Sequence, residues 1–83
     1  MKKITIYSTR ICPYCVRAKN FFNKKNLEYT EIMIDQDPSL IKEMIEKSGR
    51  QSVPQIFIGE YHVGGFDDLI EHDMDGKLEG LLN

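Results

Sequence analysis

The stretch Ile4-Thr5-Ile6-Tyr7-Ser8-Thr9-Arg10-Ile11-Cys12-Pro13-Tyr14-Cys15-Val16-Arg17-Ala18-Lys19-Asn20-Phe21-Phe22 decides the fold. From Lys3 to Tyr7 the chain alternates and is rich in β-formers, so it reads as a strand. Ser8 to Ile11 reads as a short loop. Pro13 suits the first turn of a helix, where its missing N–H would have no partner in any case, and the pattern predicts a helix to about Lys25. Cys15, Ala18 and Phe22 recur at i, i+3 and i+7 with Phe21 beside them, which makes a core-facing stripe. The two cysteines therefore stand where a strand hands over to a helix.

Working outward, Leu27 to Ile34 reads as a second strand, ending in Asp35-Gln36-Asp37-Pro38. A helix follows with Leu40, Ile41, Met44 and Ile45 at helical spacing, and Gly49 is placed to close it. Pro54 to Ile58 reads as a third strand, Gly59-Glu60 as a tight turn, and Tyr61-His62-Val63 as a fourth strand pairing back on it. After Gly64-Gly65 a last helical region carries Leu69, Ile70, Met74, Leu78, Leu81 and Leu82, with Gly76 as a point of breakage. The order is β-α-β-α-β-β-α. Two strands joined through a helix should be parallel with a right-handed crossover. The last two form an antiparallel hairpin. The expected fold class is α/β, with a mixed four-stranded sheet and helices on both faces. Tyr7, Phe21, Phe22 and Phe57 are expected in the core.

At 83 residues and 9.7 kDa this is expected to be one domain, residues 1–83. Area scaling gives roughly 5,100 Å² of folded surface for this mass, enough burial for two packed layers but not for a second core. The 41% apolar and 29% charged shares exclude disorder, collagen and a coiled coil. No apolar run approaches the ~20 residues of a membrane span. Met1-Lys2-Lys3 is not followed by an apolar signal region, so the cytoplasm is the expected compartment. Residues 1–27 carry seven basic groups and no acid, whereas residues 28–83 hold four basic groups and all thirteen acids. Two solvated faces account for this split, and so does a positive field around the chemistry near Cys12. The net charge of −2 argues against a nucleic-acid partner.

Cys12 and Cys15 make a poor structural staple. Closing a four-residue loop contributes roughly 2 kcal/mol, against ~4.7 for a hundred-residue loop. A bond that constrains so little is better suited to being made and broken, and C-x-x-C beside a βαβ pattern signals a thiol redox site. With Cys12 at the N-cap and Pro13 at N1, the free N–H groups of Tyr14 and Cys15 and the helix dipole face the Cys12 sulfur. A thiolate is thereby favoured at Cys12, with Arg10 and Arg17 close in sequence. Cys15, one turn in, suits the resolving role. Tyr14 is either a ring packed over the site or an exposed one. Structural zinc wants four ligands, and His62 and His72 do not complete a finger spacing, so no metal site is expected.

Three segments together resemble a dithiol glutaredoxin of the short bacterial class: Cys12-Pro13-Tyr14-Cys15; Ser52-Val53-Pro54 followed by Gln55-Ile56-Phe57-Ile58; and Gly64-Gly65-Phe66-Asp67-Asp68-Leu69. The resemblance spans nearly the whole chain. It implies a thioredoxin fold, glutathione as co-substrate, and no tightly bound cofactor. It implies a cis Pro54 facing the disulfide, and a Val53 backbone that pairs with the cysteinyl unit of glutathione as an added strand does. The γ-glutamyl group would sit at Gly65, Phe66, Asp67 and Asp68, with N–H groups from Phe66 and Asp67 and the acid from Asp67 or Asp68. Two glycines before a helix start also make physical sense as an anion site, as does simple N-capping by aspartate.

Two positions depart from the family pattern. Where a lysine usually stands three residues before the first cysteine, this chain has Thr9, with Arg10 beside it. Where the second helix often supplies Gln or Arg to the glycyl carboxylate, it has Ile41, with Lys42 next. Arg10 and Lys42 are the substitutes, with Arg50 and Gln51 as further candidates. The expected activity is reduction of protein disulfides and of protein–glutathione mixed disulfides by a monomer, with Cys12 as nucleophile and Cys15 as resolving thiol. Ribonucleotide reductase is a client by resemblance alone. Two alternatives are a redoxin reduced by thioredoxin reductase and an iron–sulfur cluster carrier.

Overall fold

In the computed structural model, which describes residues 2–83, the alternation at Ile4–Ser8 becomes the first strand, β1. It runs one residue further than the pattern predicts. Ser8 is fully buried and its hydroxyl donates to Glu31 at 2.6 Å, so a residue read as loop closes the strand instead. Helix α1 spans Pro13–Lys24. It ends where Asn26 takes a left-handed φ of 58°, with Asn26 N–H bonded to the Asn23 carbonyl and Leu27 N–H to that of Phe22. That double closure is a Schellman motif, with asparagine in the place glycine usually holds.

The second strand, β2, is shorter than expected, Thr30–Met33 rather than Leu27 to Ile34. Leu27 is drawn into the helix closure, and Ile34–Gln36 tightens into a single 3₁₀ turn. Asp37 caps helix α2, Pro38–Ser48, through a bond from Ser39 N–H at 2.9 Å, and Gly49 ends it at φ +71°. Strands β3, Gln55–Ile58, and β4, Tyr61–Gly64, form the hairpin, with a bulge between Ile56 and Phe57. The last region is two helices, α3 at Phe66–Met74 and α4 at Lys77–Leu82, parted at Gly76, whose φ is +75°.

The sheet order is β2-β1-β3-β4. β1 and β2 are parallel, while β1–β3 and β3–β4 are antiparallel. This is the mixed four-stranded sheet of the thioredoxin fold. Ile4, Ile6, Ile56 and Ile58 point to one face, under Ala18 and Phe22 of α1, Leu69 of α3, and Leu78 and Leu82 of α4. Tyr7 and Phe57 point to the other, under Met44 of α2. β3 is buried on both faces because it lies at the centre of the sheet with helices above and below. The folded surface of 5350 Å² is close to the scaling expectation. The fold sets three things side by side at one end of the sheet: the start of α1, the loop entering β3, and the start of α3.

Candidate active site

Cys12 is the N-cap of α1 and its backbone is extended, so its sulfur turns back over the first helical turn. Cys15 N–H points at Cys12 Sγ, 3.1 Å away. That is the N3 amide, one of the orphan donors of a helix start. The two cysteines form a disulfide with their Cα atoms 5.2 Å apart. Cys12 is 9% exposed and Cys15 1%. An incoming thiol therefore meets Cys12, and Cys15 waits behind it.

The positive charge of the first third is partly spent away from the site. Lys19 pairs with Glu31 at 2.8 Å and Lys25 with Asp73 at 3.2 Å. Arg17 lies over the Tyr14 ring, 5.2 Å from its centroid. Tyr14 in turn faces Phe66 across 6.2 Å, a tilted pair joining α1 to α3. Half of Tyr14 remains exposed, so the ring forms a wall of the site and meets solvent as well.

The peptide between Val53 and Pro54 is cis, as the resemblance implied. The Val53 carbonyl oxygen lies 3.9 Å from Cys12 Sγ, across 41 residues of chain. Opposite this loop, α3 begins. The Asp68 carboxylate accepts from Gly65 N–H at 2.9 Å and from Arg50 Nη1 at 3.0 Å. The amide first, and then Arg50, hold this carboxyl below the ordinary aspartate range. Gly64 has a φ of +118°, and a Cβ there would drive into the Asp68 side chain, 2.7 Å from its Cγ. Phe66 and Asp67 are the first two residues of α3, whose N–H groups have no intrahelical acceptor.

Between the two walls runs a groove of about 270 Å³, lined by Tyr14, Arg50, Ser52, Val53, Pro54, Gly65, Phe66, Asp67 and Asp68. The structure thus brings Tyr14, Val53, Pro54, Gly65, Phe66, Asp67 and Asp68 together. Arg10 does not line the groove: its side chain is exposed and its N–H donates to Asp35 at 3.0 Å. Lys42 sits 3.9 Å from Glu46 on α2. Ile41 is exposed. Arg50 is the cation at the groove, and it sits at the α3 end, beside Asp68.

Two residues that the sequence offers only as part of a motif also belong to the site. Ser52 lines the groove, and Gln55 lies fully buried behind it. The signal was a lone polar residue in an otherwise apolar strand. Gln55 Nε2 donates to the Ser52 carbonyl at 2.9 Å, and its Oε1 meets His62 Nε2 at 2.7 Å. Burial first, and then the Arg50 charge, push the His62 imidazole below its ordinary value. A second hollow, about 280 Å³, lies on the α2 face against Thr5, Tyr7 and Phe57, and shares no lining residue with the groove. Among the described residues no cluster of three or more His, Cys, Asp or Glu is placed to hold a metal, and no helix is long and apolar enough to cross a membrane.

Comparison with known proteins agrees with this geometry. The sequence pattern of the glutaredoxin family matches residues 4–63. A glutaredoxin of Pseudomonas aeruginosa is 47% identical over 83 residues, covering 100% of this chain and 99% of that one. Glutaredoxin 3 of Escherichia coli is 45% identical, covering 99% of each. Among solved structures, glutaredoxin from Brucella melitensis superposes with a TM-score of 0.85 at 49% identity, covering 99% of this chain and 89% of that one. The buckwheat glutaredoxin–glutathione complex superposes at 0.88 and 32% identity, covering 98% and 76%.

Proposed function

The chain belongs to the glutaredoxin family, and from that premise we propose that its thiol–disulfide oxidoreductase activity depends on glutathione. The observation that carries this reading is the groove between the Val53 loop and the start of α3, beside Cys12, whose sulfur lies 3.9 Å from the carbonyl of the lining residue Val53. Its walls supply what a γ-glutamyl tripeptide needs: an extended backbone edge at Val53, unpaired amides at Phe66 and Asp67, and a carboxylate at Asp67. The superposed buckwheat protein, solved with glutathione bound, supports the same reading. Asp68 is engaged in holding Gly65 and Arg50, so Asp67 is the acid assigned to the ligand's ammonium.

The Cys12 thiolate attacks the glutathione sulfur of a glutathionylated protein, and the protein thiolate leaves and takes a proton. The thiolate of a second glutathione then attacks the bound glutathione sulfur. Glutathione disulfide departs and the Cys12 thiolate returns. With a protein disulfide, Cys12 forms a mixed disulfide and releases one substrate thiol. Cys15 then attacks Cys12 Sγ, releases the second thiol and closes the Cys12–Cys15 bond, which two glutathiones reduce. The N-terminal amide of α1 at Cys15 stabilises the negative charge that returns to Cys12 in each cycle. We assign this work to a monomer in a reducing, cytoplasmic compartment, with ribonucleotide reductase among the disulfide-bearing clients to be assayed.

The test is steady-state reduction of a glutathionylated peptide coupled to glutathione reductase. Cys12→Ser should abolish turnover. Cys15→Ser should keep deglutathionylation and lose most reduction of a protein disulfide. Equal loss of both activities in Cys15→Ser contradicts the scheme. If the wild type is inactive with glutathione but active with thioredoxin reductase, glutathione is not its reductant.

A further inference from the structure

The Ser52–Val53 peptide is held from behind. Gln55 is completely buried, yet both ends of its amide are satisfied. Nε2 donates to the Ser52 carbonyl at 2.9 Å and approaches Ser52 Oγ at 3.3 Å. With the NH₂ so used, Oε1 faces His62, and His62 Nε2 carries the proton between them, 2.7 Å apart. The His62 ring is itself fixed against Phe57, with centroids 4.9 Å apart. The result is a relay from β4, through the interior of β3, to the loop that lines the groove.

A trans peptide is planar, with its C=O and N–H pointing in opposite directions. The Ser52–Val53 bond is trans. Drawing the Ser52 carbonyl inward to Gln55 therefore turns Val53 N–H outward. That N–H has no acceptor among the described residues, while the Val53 carbonyl sits 3.9 Å from Cys12 Sγ. One residue thus presents both a donor and an acceptor to whatever lies along the groove, as a sheet edge does.

We propose that Gln55 is a positioning residue for the thiol–disulfide reaction: its buried amide, steadied by His62, fixes the Ser52–Val53 peptide so that Val53 N–H is aimed at the bound glutathionyl group. The proposal rests on the glutathione reading above. It predicts that loss of the Gln55 donor weakens substrate binding and spares the sulfur chemistry, because Cys12 is activated by α1 and not by this loop.

The experiment uses Gln55→Met, which keeps the side-chain length and drops both hydrogen bonds, and Gln55→Glu, which keeps an oxygen toward His62. KM for a glutathionylated peptide should rise about tenfold in Gln55→Met, the loss of one well-made hydrogen bond, with kcat and the rate of Cys12 alkylation within about twofold of wild type. Gln55→Glu should match that defect at neutral pH. It should recover relative to wild type as the pH is lowered, since a protonated carboxyl again donates to the Ser52 carbonyl. Amide exchange at Val53 separates the proposal from its premise. In Cys15→Ser carrying glutathione on Cys12, Val53 N–H should be protected, and adding Gln55→Met should remove the protection. Protection that survives Gln55→Met overturns the positioning role and leaves the glutathione reading standing. A Val53 N–H that is unprotected with Gln55 intact overturns both. If Gln55→Met does not fold, the pH recovery of Gln55→Glu decides, and a defect that does not respond to pH refutes the proposal.

Discussion

The two walls of the groove are held by opposite means. The loop wall, Ser52 to Pro54, is fixed from inside the protein by a fully buried amide. The helix wall, Gly64 to Asp68, is fixed near the surface by a carboxylate that accepts one amide and one guanidinium. The Arg50 and Asp68 side chains are 49% and 35% exposed. A buried hydrogen bond is insensitive to salt and expensive to leave unmade, whereas an exposed ion pair is screened and contributes little. The wall with the lasting geometry is the one facing Cys12. The wall that responds to ionic conditions is the one to which the proposed function assigns the charged end of glutathione.

The largest expected effect breaks the helix wall alone. Gly64→Ala forces a side chain into a φ of +118° and against Asp68, costing about 2–4 kcal/mol. Thermal unfolding should show a drop of roughly 8–32 °C at about 4–8 °C per kcal/mol. A midpoint within two degrees of wild type means the Gly64 backbone is not constrained as described.

Asp68→Asn comes next, at about 1 kcal/mol, since the amide still caps Gly65 but loses its charge. Its pH dependence is the sharper reading. The folded carboxyl titrates below the ordinary aspartate value of 3.8, so its contribution is complete above that value and is lost as pH falls through the depressed one. Urea midpoints of wild type and Asp68→Asn should therefore differ between pH 5 and 7 and converge below 3.8. A gap that persists in acid would assign the effect to shape instead of charge.

Smallest is Arg50→Met, at under about 1 kcal/mol of stability. Its value lies in salt. KM for a glutathionylated peptide should rise with ionic strength in wild type and rise less in Arg50→Met, while the Gln55→Met defect should be indifferent to salt. If both variants respond to salt alike, the contrast between the walls is wrong.

Much of this was readable from residues close together in the chain. Cys12 at the N-cap, Pro13 at N1, the Ala18 and Phe22 stripe and the break at Gly76 all follow from capping, periodicity and backbone freedom within a few positions. The second strand starts at Thr30 and not at Leu27, because Asn26 and Leu27 satisfy the last carbonyls of α1 before any sheet pairing begins. Ser8 belongs to β1 and not to the loop, because its partner Glu31 stands 23 residues away on β2. Arg10 lies near Cys12 in sequence, but its N–H is tied to Asp35 and its side chain stays out of the groove.

The sequence by itself determined which sulfur caps a helix start, which helix that is, and the order of strands and helices along the chain, because those depend on contacts within one or two turns of chain. Only the tertiary structure decided that Gln55 would be buried, that Arg50 would meet Asp68 18 residues away, and that the Val53 carbonyl would face Cys12. Those outcomes depend on which backbone groups the sheet leaves unpaired at the end of β3. That is known only once β3 is held between β1 and β4, and every buried donor must then find an acceptor.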